Sequence, residues 1–234
     1  MSTTRYDPRV LRGMKTQLEL RQARLDAGEK SLGWKVGFGA PAAMERLKLD
    51  APLVGFLTNQ SLLPSEATVS IAGWTKAVAE PEIAVYLGQD LSETPDRETT
   101  RGAIASIGPA IELADVSFPP DDVEAILAGN IYHRHAILGR RDASRAGCVL
   151  DGLACYVFRN GTEIAATTDL QALTGDLVDI VGHVANLLAA LGERLRAGEV
   201  IIAGSIVPPI GIAGKEEIRY SLDPVDAISI RLEA

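Results

Sequence analysis

The spacing of apolar residues divides the chain into a helical beginning and a strand-rich remainder. Over residues 8–27, apolar side chains recur every three or four positions with Arg and Glu between them, and Gly28 follows. This pattern predicts an amphipathic helix that ends at a glycine. Leu32–Phe38 is typical of a short strand, and Pro41–Leu47 of a helix that begins with proline. We expect a loop over 49–61.

After Glu66 the apolar residues alternate with polar ones, which favours strands. Two helices interrupt this pattern, at about 97–107 and over 176–191, where one apolar stripe ends at Gly192. The pair Asn160-Gly161 predicts a hairpin turn. The expected strands are Ala67–Ile71, Val78–Leu87, Ala110–Val116, Val149–Phe158, Thr162–Ala166, Glu199–Ala203, Ile218–Leu222 and Ala227–Leu232.

The order of these elements predicts an α+β, β-rich fold. We expect residues 1–66 to form a small helical N-terminal region that packs on a β-rich body, residues 67–234. A chain of 234 residues buries a substantial core without disulfide bonds. Cys148 and Cys155 lack the spacing of a zinc site, and we interpret them as small buried side chains in a reducing compartment.

Composition narrows the possible partners. The net charge of −8 and the sequence pI of about 5.0 argue against nucleic acid, because no basic surface is available to neutralise phosphates. The N-terminal residues lack the apolar core of a signal peptide, and no stretch approaches the roughly 20 apolar residues of a membrane span. We expect a cytoplasmic protein that binds neither nucleic acid nor a membrane.

Three glutamates occur in apolar segments of strand length. Glu80 and Glu82 are two residues apart and therefore point to the same face of a strand, while Glu112 lies in a second segment, 109–114. A buried carboxylate without a partner is costly, but three of them suit a hard divalent cation such as magnesium, manganese or calcium. The alternative is a solvated sheet face, with Pro81 marking an edge strand or a bulge.

Four motifs in this order resemble the fumarylacetoacetate hydrolase superfamily, and more closely its 2-keto-4-pentenoate hydratase and 4-oxalocrotonate decarboxylase branch. The resemblance runs from about Gly33 to the C-terminus. The Glu-x-Glu pair with a later glutamate and an upstream lysine is specific as a set, whereas each motif alone is weak. The motifs are Gly33–Gly37 (GWKVG), Glu80–Ala84 (EPEIA), Gly108–Glu112 (GPAIE) and Gly198–Ser205 (GEVIIAGS).

The resemblance implies a mixed β-roll or sandwich of the fumarylacetoacetate hydrolase type and a metal-dependent lyase of aromatic-compound catabolism. It implies Mg²⁺ or Mn²⁺ held by Glu80, Glu82 and Glu112, and a small 2-oxo acid substrate that chelates the cation. The cation would stabilise the enolate formed from the 2-keto group. In a hydratase a proton moves at C3 and water adds to the distal alkene. In a decarboxylase the same enolate forms by loss of carbon dioxide.

The resemblance also implies roles for three other residues. Lys35 matches a lysine that carries a proton or acts as a fixed cation beside the substrate. The alternative interpretation is that Lys35 lies on an edge strand, where its charge opposes aggregation. Gly204 and Ser205 match a turn that holds the substrate carboxylate, where backbone N–H groups can form an anion nest. Their alternative is a plain turn.

One departure from the family pattern concerns Pro52–Gly55. Hydratases of the family carry an acid in a Pro-Asp-Phe-Gly-like stretch, and this chain has Leu53 there. The change removes a partner for Lys35 and counts against hydration.

A second departure is Asn130–His135, which replaces an Asn-Ala-Ser-Cys-Gly-like segment. Asn130 is retained as a substrate contact. Alternation predicts His133 and His135 on one face of a strand and Arg134 on the other. One of these three binds a distal carboxylate or transfers a proton, or all are solvated or structural. We interpret His183, in the helix predicted over 176–191, as a satisfied core or interface residue.

Three functions therefore stay open. The first is the lyase. The second is a C–C bond hydrolase of the fumarylacetoacetate or acylpyruvate type, or an oxaloacetate decarboxylase, on the same fold. The third is a non-catalytic partner subunit of a hydratase–decarboxylase complex, which the two departures favour and the intact glutamates oppose. The apolar helix at 176–191 and the exposed sheet edges lead us to expect a homo-oligomer.

Overall fold

The computed structural model of the protein describes residues 6–91 and 94–234. The helices are α1 (Pro8–Asp26), α2 (Pro41–Leu47), α3 (Arg97–Ala103), α4 (Val123–Ala128) and α5 (Leu177–Ala190). The strands are β1 (Ser31–Gly37), β2 (Leu53–Thr58), β3 (Leu62–Leu63), β4 (Thr68–Ser70), β5 (Ala77–Leu87), β6 (Ile104–Asp115), β7 (His133–Leu138), β8 (Ala154–Arg159), β9 (Thr162–Thr167), β10 (Val200–Ser205), β11 (Ile210–Gly211), β12 (Glu216–Asp223) and β13 (Asp226–Glu233). None of the helices within these ranges is both long and apolar enough to cross a membrane.

Two sheets enclose the main apolar core. The larger, curled sheet has the strand order β2-β1-β10-β5-β6-β7-β3. Strand β11 also pairs with β5, beyond the point where β10 stops pairing with it. The smaller sheet has the order β4-β13-β12-β8-β9. Strands β12 and β13 pack on β6, so the core lies between the sheets. The predicted α+β, β-rich class is confirmed.

The long strands β5 and β6 form the centre of the larger sheet and pair antiparallel along their whole length. Nearly all their residues are buried, which explains why both segments are continuous apolar runs. The helix predicted over 97–107 is wrong at its end, because α3 stops at Ala103 and β6 begins at the next residue. Ile104 and Ile107 belong to the core, which holds this segment in the sheet.

Other differences from the prediction also follow from tertiary packing. The expected loop over 49–61 contains β2, whose residues are all buried. Strand β2 is an edge strand of the larger sheet, and α1 packs against it. Because all its residues are buried, this strand shows no alternation of apolar and polar residues. The strand predicted at 149–158 begins only at Ala154. Helix α4 was not predicted, and strand β7 was expected only through the alternation of residues 133–135.

Pro81 lies in a central strand, so the expectation of an edge strand is wrong; its pairing with Ile111 of β6 is regular, and the bulge lies in the neighbouring strand β10. Strand β5 pairs with β10 as far as Glu82 and with β11 from Ala79, so Pro81 falls between these partners. A residue without an N–H therefore breaks no ladder bond on that side. The β10 register shifts between Ile202 and Ser205 at the same level.

Helix α1 joins the larger sheet through a buried amide. Gln17 is fully buried, and its Nε2 donates hydrogen bonds to the carbonyl oxygens of Val54 (3.1 Å) and Leu127 (2.9 Å). Strands β1 and β2, which belong to the first 66 residues, lie within the larger sheet. The division of the chain at residue 66 stays a prediction.

Gly33 sets the distance between β1 and β10. It pairs with Val200 in the parallel register of these strands and has a φ of +147°. A Cβ at this position would overlap the Val200 carbonyl oxygen and lie 2.7 Å from the Val200 nitrogen. Only glycine allows this approach, which places β1 and its Lys35 beside the centre of the sheet.

We predict that Gly33→Ala destabilises the protein by about 3 kcal/mol or more, because backbone strain and overlap with Val200 add together. Urea unfolding measures the change. Gly102→Ala is the matched control: Gly102 lies in α3 with open space around it, so the variant should be neutral or more stable by up to about 1 kcal/mol. A Gly33→Ala protein as stable as the wild type would contradict this account.

Candidate metal centre

The central strand pair brings the three predicted glutamates together. Glu80 pairs directly with Glu112 across β5 and β6, and Glu82 lies two residues along on the same face. Oxygen atoms from the three side chains lie within 4.8 Å of one another. Glu82 and Glu112 are 0% exposed. The alternative of a solvated acidic face is therefore wrong.

Burial and mutual repulsion oppose ionisation of these carboxyl groups. Burial, with a contribution from the charge of Glu112, raises the pKa of Glu80 to about 7. Burial and the charges of Glu112 and Glu80 raise the pKa of Glu82 well above its ordinary value. Burial also acts on Glu112, but Lys35 and His133 offset it and lower the pKa of that carboxyl. A cluster of this kind favours a positive ion between its members.

Two carboxylate oxygens at the centre have no hydrogen-bond partner among the described residues. These buried atoms are Glu82 Oε1 and Glu112 Oε2. The other oxygens of the same groups are occupied: the Gly204 N–H donates to Glu82 Oε2 at 2.8 Å, and Lys35 donates to Glu112 Oε1. Oxygen donors that carry negative charge and lack partners fit a hard divalent cation.

Lys35 is buried within the sheet. Its side chain is 2% exposed, and its Nζ donates to Glu112 Oε1 and, at 3.2 Å, to the Ile131 carbonyl oxygen. Strand β1 lies between β2 and β10, so the alternative of an edge-strand lysine is wrong. Gly55 pairs with Lys35 on β2, and a Cβ there would lie 2.8 Å from the lysine Cγ. Gly55 therefore makes room for the lysine side chain.

A left-handed turn places the groups that follow α4. Asn130, Ile131 and Tyr132 have φ values of +54°, +52° and +61°, although none is glycine. The Asn130 amide holds this turn, because it accepts from the Phe56 N–H at 2.8 Å and donates to the Phe56 carbonyl at 3.0 Å. Such strain persists only where surrounding contacts enforce it, and it is typical of functional sites. The turn presents the Ile131 carbonyl to Lys35.

His133, the first residue of β7, contacts Glu112. Its Nδ1 lies 2.7 Å from Glu112 Oε1, so this nitrogen carries the proton that is donated to the carboxylate. The side chain is 3% exposed, and burial lowers the pKa of its imidazole despite the contact with Glu112. Its Nε2 is buried and has no partner among the described residues.

The prediction that His133 and His135 share a face is wrong. His133 pairs with Ala114 and His135 with Leu113, because the register shifts between them. The bulge turns His135 to the opposite face, where its ring stacks on Trp74 at a centroid distance of 6.2 Å. On the same strand, Arg134 forms an ion pair with Asp115 at 3.0 Å. As expected, His183 is satisfied: its Nε2 lies 2.9 Å from the Pro52 carbonyl oxygen.

A cavity of about 270 Å³ opens beside the carboxylates. Lys35, Glu80, Gly204 and Ser205 line it. The Ser205 hydroxyl donates to the Val207 carbonyl at 2.7 Å. The Gly204 N–H is already used by Glu82, so the anion nest predicted at 204–205 stays a prediction. The substrate contact predicted for Asn130 also stays a prediction, since its amide is bonded to the backbone of Phe56.

Comparison with known proteins agrees with this site. The sequence profile described as fumarylacetoacetate (FAA) hydrolase, C-terminal, matches residues 32–234. The chain belongs to the fumarylacetoacetate hydrolase family. Within that family, the 2-hydroxyhexa-2,4-dienoate hydratase of Comamonas testosteroni is 28% identical over 219 residues, 92% of this chain and 81% of that protein. The 4-oxalocrotonate decarboxylase of Pseudomonas putida is 26% identical over 218 residues, 92% of this chain and 82% of that protein.

The fold of the fumarylacetoacetate hydrolase family is also confirmed. The structure of 4-oxalocrotonate decarboxylase from Pseudomonas putida G7, complexed with magnesium and adipate, matches with a TM-score of 0.85 and 25% identity. The match covers 94% of this chain and 84% of that one. The resemblance to the hydratase and decarboxylase branch of the family is thereby confirmed.

The sequence did not reveal two contacts of the site: the Ile131 carbonyl with Lys35, and His133 with Glu112. The Ile131 carbonyl was missed because its position depends on the left-handed turn. The His133 contact was missed because a bulge is invisible to simple alternation. A signal for both existed in the departure of 130–135 from the family pattern, since a buried imidazole in place of small residues requires a nearby partner.

We predict that the metal-free protein binds Mn²⁺ more weakly as the pH falls from about 8 to about 6. Glu80 has a pKa of about 7 and must lose its proton to coordinate the ion, so this group alone should lower the apparent affinity by up to about tenfold per pH unit below pH 7. The raised pKa of Glu82 acts in the same direction. Calorimetric titration at several pH values measures this, and pH-independent affinity would contradict it.

Proposed function

We propose that the protein is a divalent-metal-dependent lyase that acts on short 2-oxo acids through an enolate. It is a 2-keto-4-pentenoate-type hydratase or an oxalocrotonate-type decarboxylase in aromatic-compound catabolism. The observation that carries this proposal is the cluster of Glu80, Glu82 and Glu112, with Lys35 beside it. Two oxygens of the fully buried Glu82 and Glu112 have no hydrogen-bond partner among the described residues. We assign the three glutamates as ligands of Mg²⁺ or Mn²⁺.

Two kinds of comparison support the proposal. Two of the similar proteins are named for a hydratase of 2-hydroxyhexa-2,4-dienoate and a decarboxylase of 4-oxalocrotonate, so both reactions occur among the relatives of this chain. The decarboxylase with the matching fold was solved with magnesium and with adipate, a dicarboxylate. A structure of the same enzyme contains calcium and acetate. Both structures therefore contain a divalent cation that prefers oxygen ligands, together with a small carboxylate.

The chemistry of the site suits an enolate. A bound Mg²⁺ or Mn²⁺ supplies Lewis acidity, which favours negative charge on the keto oxygen of a 2-oxo acid. Lys35 is the group that we assign to move the proton at C3, because it lines the cavity and is fixed by Glu112 and the Ile131 carbonyl. Fixing the lysine on two acceptors orients it before substrate arrives.

The cavity selects a short substrate with an apolar tail. Its volume of about 270 Å³ is at the small end of ligand pockets, which are about 300–1,000 Å³. One end is polar, with Lys35, Glu80 and the 204–205 turn, and Arg46 lies at the exposed rim. The remaining wall is largely apolar, with Val36, Phe38, Ala43, Val78, Ala114, Val116, Ile131, Tyr132, Leu173, Ala203, Val207 and Pro209.

The same wall bears on the choice between hydration and decarboxylation. Leu53 is fully buried in the core, so no acid replaces the one expected from the family pattern. In the part of the chain that the structure describes, Glu80 is the one carboxylate lining this cavity. Loss of carbon dioxide needs a charge sink and a proton donor, whereas hydration also needs a group that activates water. The lining groups are therefore sufficient for decarboxylation.

The remaining parts of the proposal concern assembly and location. We propose a cytoplasmic homo-oligomer. Tyr156 and Ile164, on the neighbouring strands β8 and β9, are large apolar side chains that are exposed in the single chain. Apolar groups of this kind on paired strands are compatible with burial in an assembly.

A scan of short 2-oxo acids with and without Mg²⁺ or Mn²⁺ tests the proposed function. Loss of dienol absorbance without cleavage identifies a hydratase, and release of carbon dioxide identifies a decarboxylase. Cleavage of a C–C bond of the substrate, which yields two smaller products, would identify the C–C hydrolase instead. Manganese binding without turnover of any 2-oxo acid would favour the non-catalytic partner subunit.

We predict that Glu82→Gln lowers metal-dependent turnover at least about 100-fold and leaves the fold intact, because a buried ligand oxygen is replaced by a neutral amide. Circular dichroism checks the fold, and turnover is measured at saturating metal. Glu163→Gln, at an exposed position of β9, is the matched control and should retain wild-type activity. Full activity of Glu82→Gln would refute the ligand assignment.

We predict that Lys35→Met lowers kcat by about 100-fold or more and changes Mn²⁺ affinity by less than about tenfold, since proton transfer by a positioned side chain contributes about 10²–10⁴-fold. Methionine keeps the apolar stem and removes the donor. Steady-state kinetics and metal titration on the same preparation separate the two effects. Equal loss of turnover and affinity would indicate a structural lysine.

A further inference from the structure

His133 is the buried polar side chain beside the carboxylates to which the proposed function gives no role. We propose that His133 is a positioning residue, which fixes the rotation of Glu112 so that one of its oxygens is held by protein donors and the other is left for the cation. This inference rests on the proposed function, because it assumes that Glu112 is a metal ligand. It assigns His133 no contact with substrate.

The hydrogen bonds at Glu112 are unequally divided. Oε1 accepts from Lys35 Nζ and from His133 Nδ1, whereas Oε2 is buried without a partner among the described residues. A carboxylate rotates about its terminal bond, and its two oxygens are chemically equivalent. Two donors that converge on one oxygen break this equivalence and leave the other oxygen free.

His133 is better suited than Lys35 to set this rotation. Lys35 reaches Glu112 through a flexible four-carbon stem and shares its ammonium group with the Ile131 carbonyl. The imidazole is planar, is attached at the start of β7, and is almost completely buried. Its place in the chain is fixed on one side by the left-handed turn at 130–132 and on the other by the bulge opposite Leu113 and Ala114.

A direct role in catalysis fits the geometry less well. Residues other than His133 build the described wall of the cavity, although Lys35 and Glu80 are among them. His133 therefore contacts Glu112 from the protein side. Partners that orient metal ligands in this way change metal affinity by about 10- to 100-fold when they are removed.

The test compares three substitutions of His133 by Mn²⁺ titration of the metal-free protein. Asparagine carries an N–H near the position of Nδ1, so His133→Asn should bind Mn²⁺ within about threefold of the wild type. His133→Phe keeps a planar ring and removes the donor, and its affinity should fall at least about tenfold. His133→Gln places its amide near the position of Nε2, and it should weaken binding as His133→Phe does.

His135→Phe is the matched control. It changes a histidine of the same strand that lies on the opposite face and stacks on Trp74, so metal affinity should not change. Thermal unfolding without metal reports on the fold of each variant. If His133→Phe does not fold, the contrast between asparagine and glutamine gives the answer.

Wild-type affinity in His133→Phe or His133→Gln would overturn the inference, as would a His133→Asn protein that binds as weakly as His133→Phe. Both results leave the proposed function intact if the wild type binds manganese and turns over a 2-oxo acid. Absence of Mn²⁺ binding by the wild type would instead overturn the proposed function, and this inference with it. Rescue by asparagine alone supports the positioning role, because a merely structural histidine would not show it.

Discussion

Concentrated negative charge in the middle of a buried strand pair is the constraint on which the rest of the structure depends. Glu80, Glu82 and Glu112 face one another on β5 and β6, and burial makes each charge costly. Part of this negative charge is stabilised from one side by hydrogen bonds from Lys35, His133 and the Gly204 N–H. Two of the carboxylate oxygens have no donor in the part of the chain that the structure describes, and a divalent cation is the partner that suits them.

Several locally unfavourable features bring the donors to these carboxylates. Gly33 permits the close approach of β1 to β10, which carries Lys35 to the sheet centre. Three successive residues at 130–132 adopt left-handed backbone conformations, and Pro81 lies in a central strand where the partner of that strand changes. Each feature would weaken an ordinary sheet. Their concentration around one cluster is what is expected when function, and not stability alone, has selected the local sequence.

The sequence was sufficient to predict β5, the second half of β6 and the shared face of Glu80 and Glu82, because these follow from apolar runs and from the two-residue period of a strand. The pairing of Glu80 with Glu112 depends on which strands are neighbours, and alternation carries no information about that. Strand β2 was mistaken for a loop because its burial depends on α1, which is distant in sequence. The faces of β7 were mistaken because one bulge reverses them.

The two departures from the family pattern meet at a single carboxylate. Gly55 pairs with Lys35, and Leu53 lies two residues away on the same strand, so an acid at 53 would have been near the lysine. Leu53 instead joins the core, and Lys35 is hydrogen-bonded to Glu112. His133, from the second departure, donates to the oxygen that Lys35 already occupies, so the other oxygen has no partner among the described residues. Changes about 80 residues apart in sequence thus act on one rotation of one side chain.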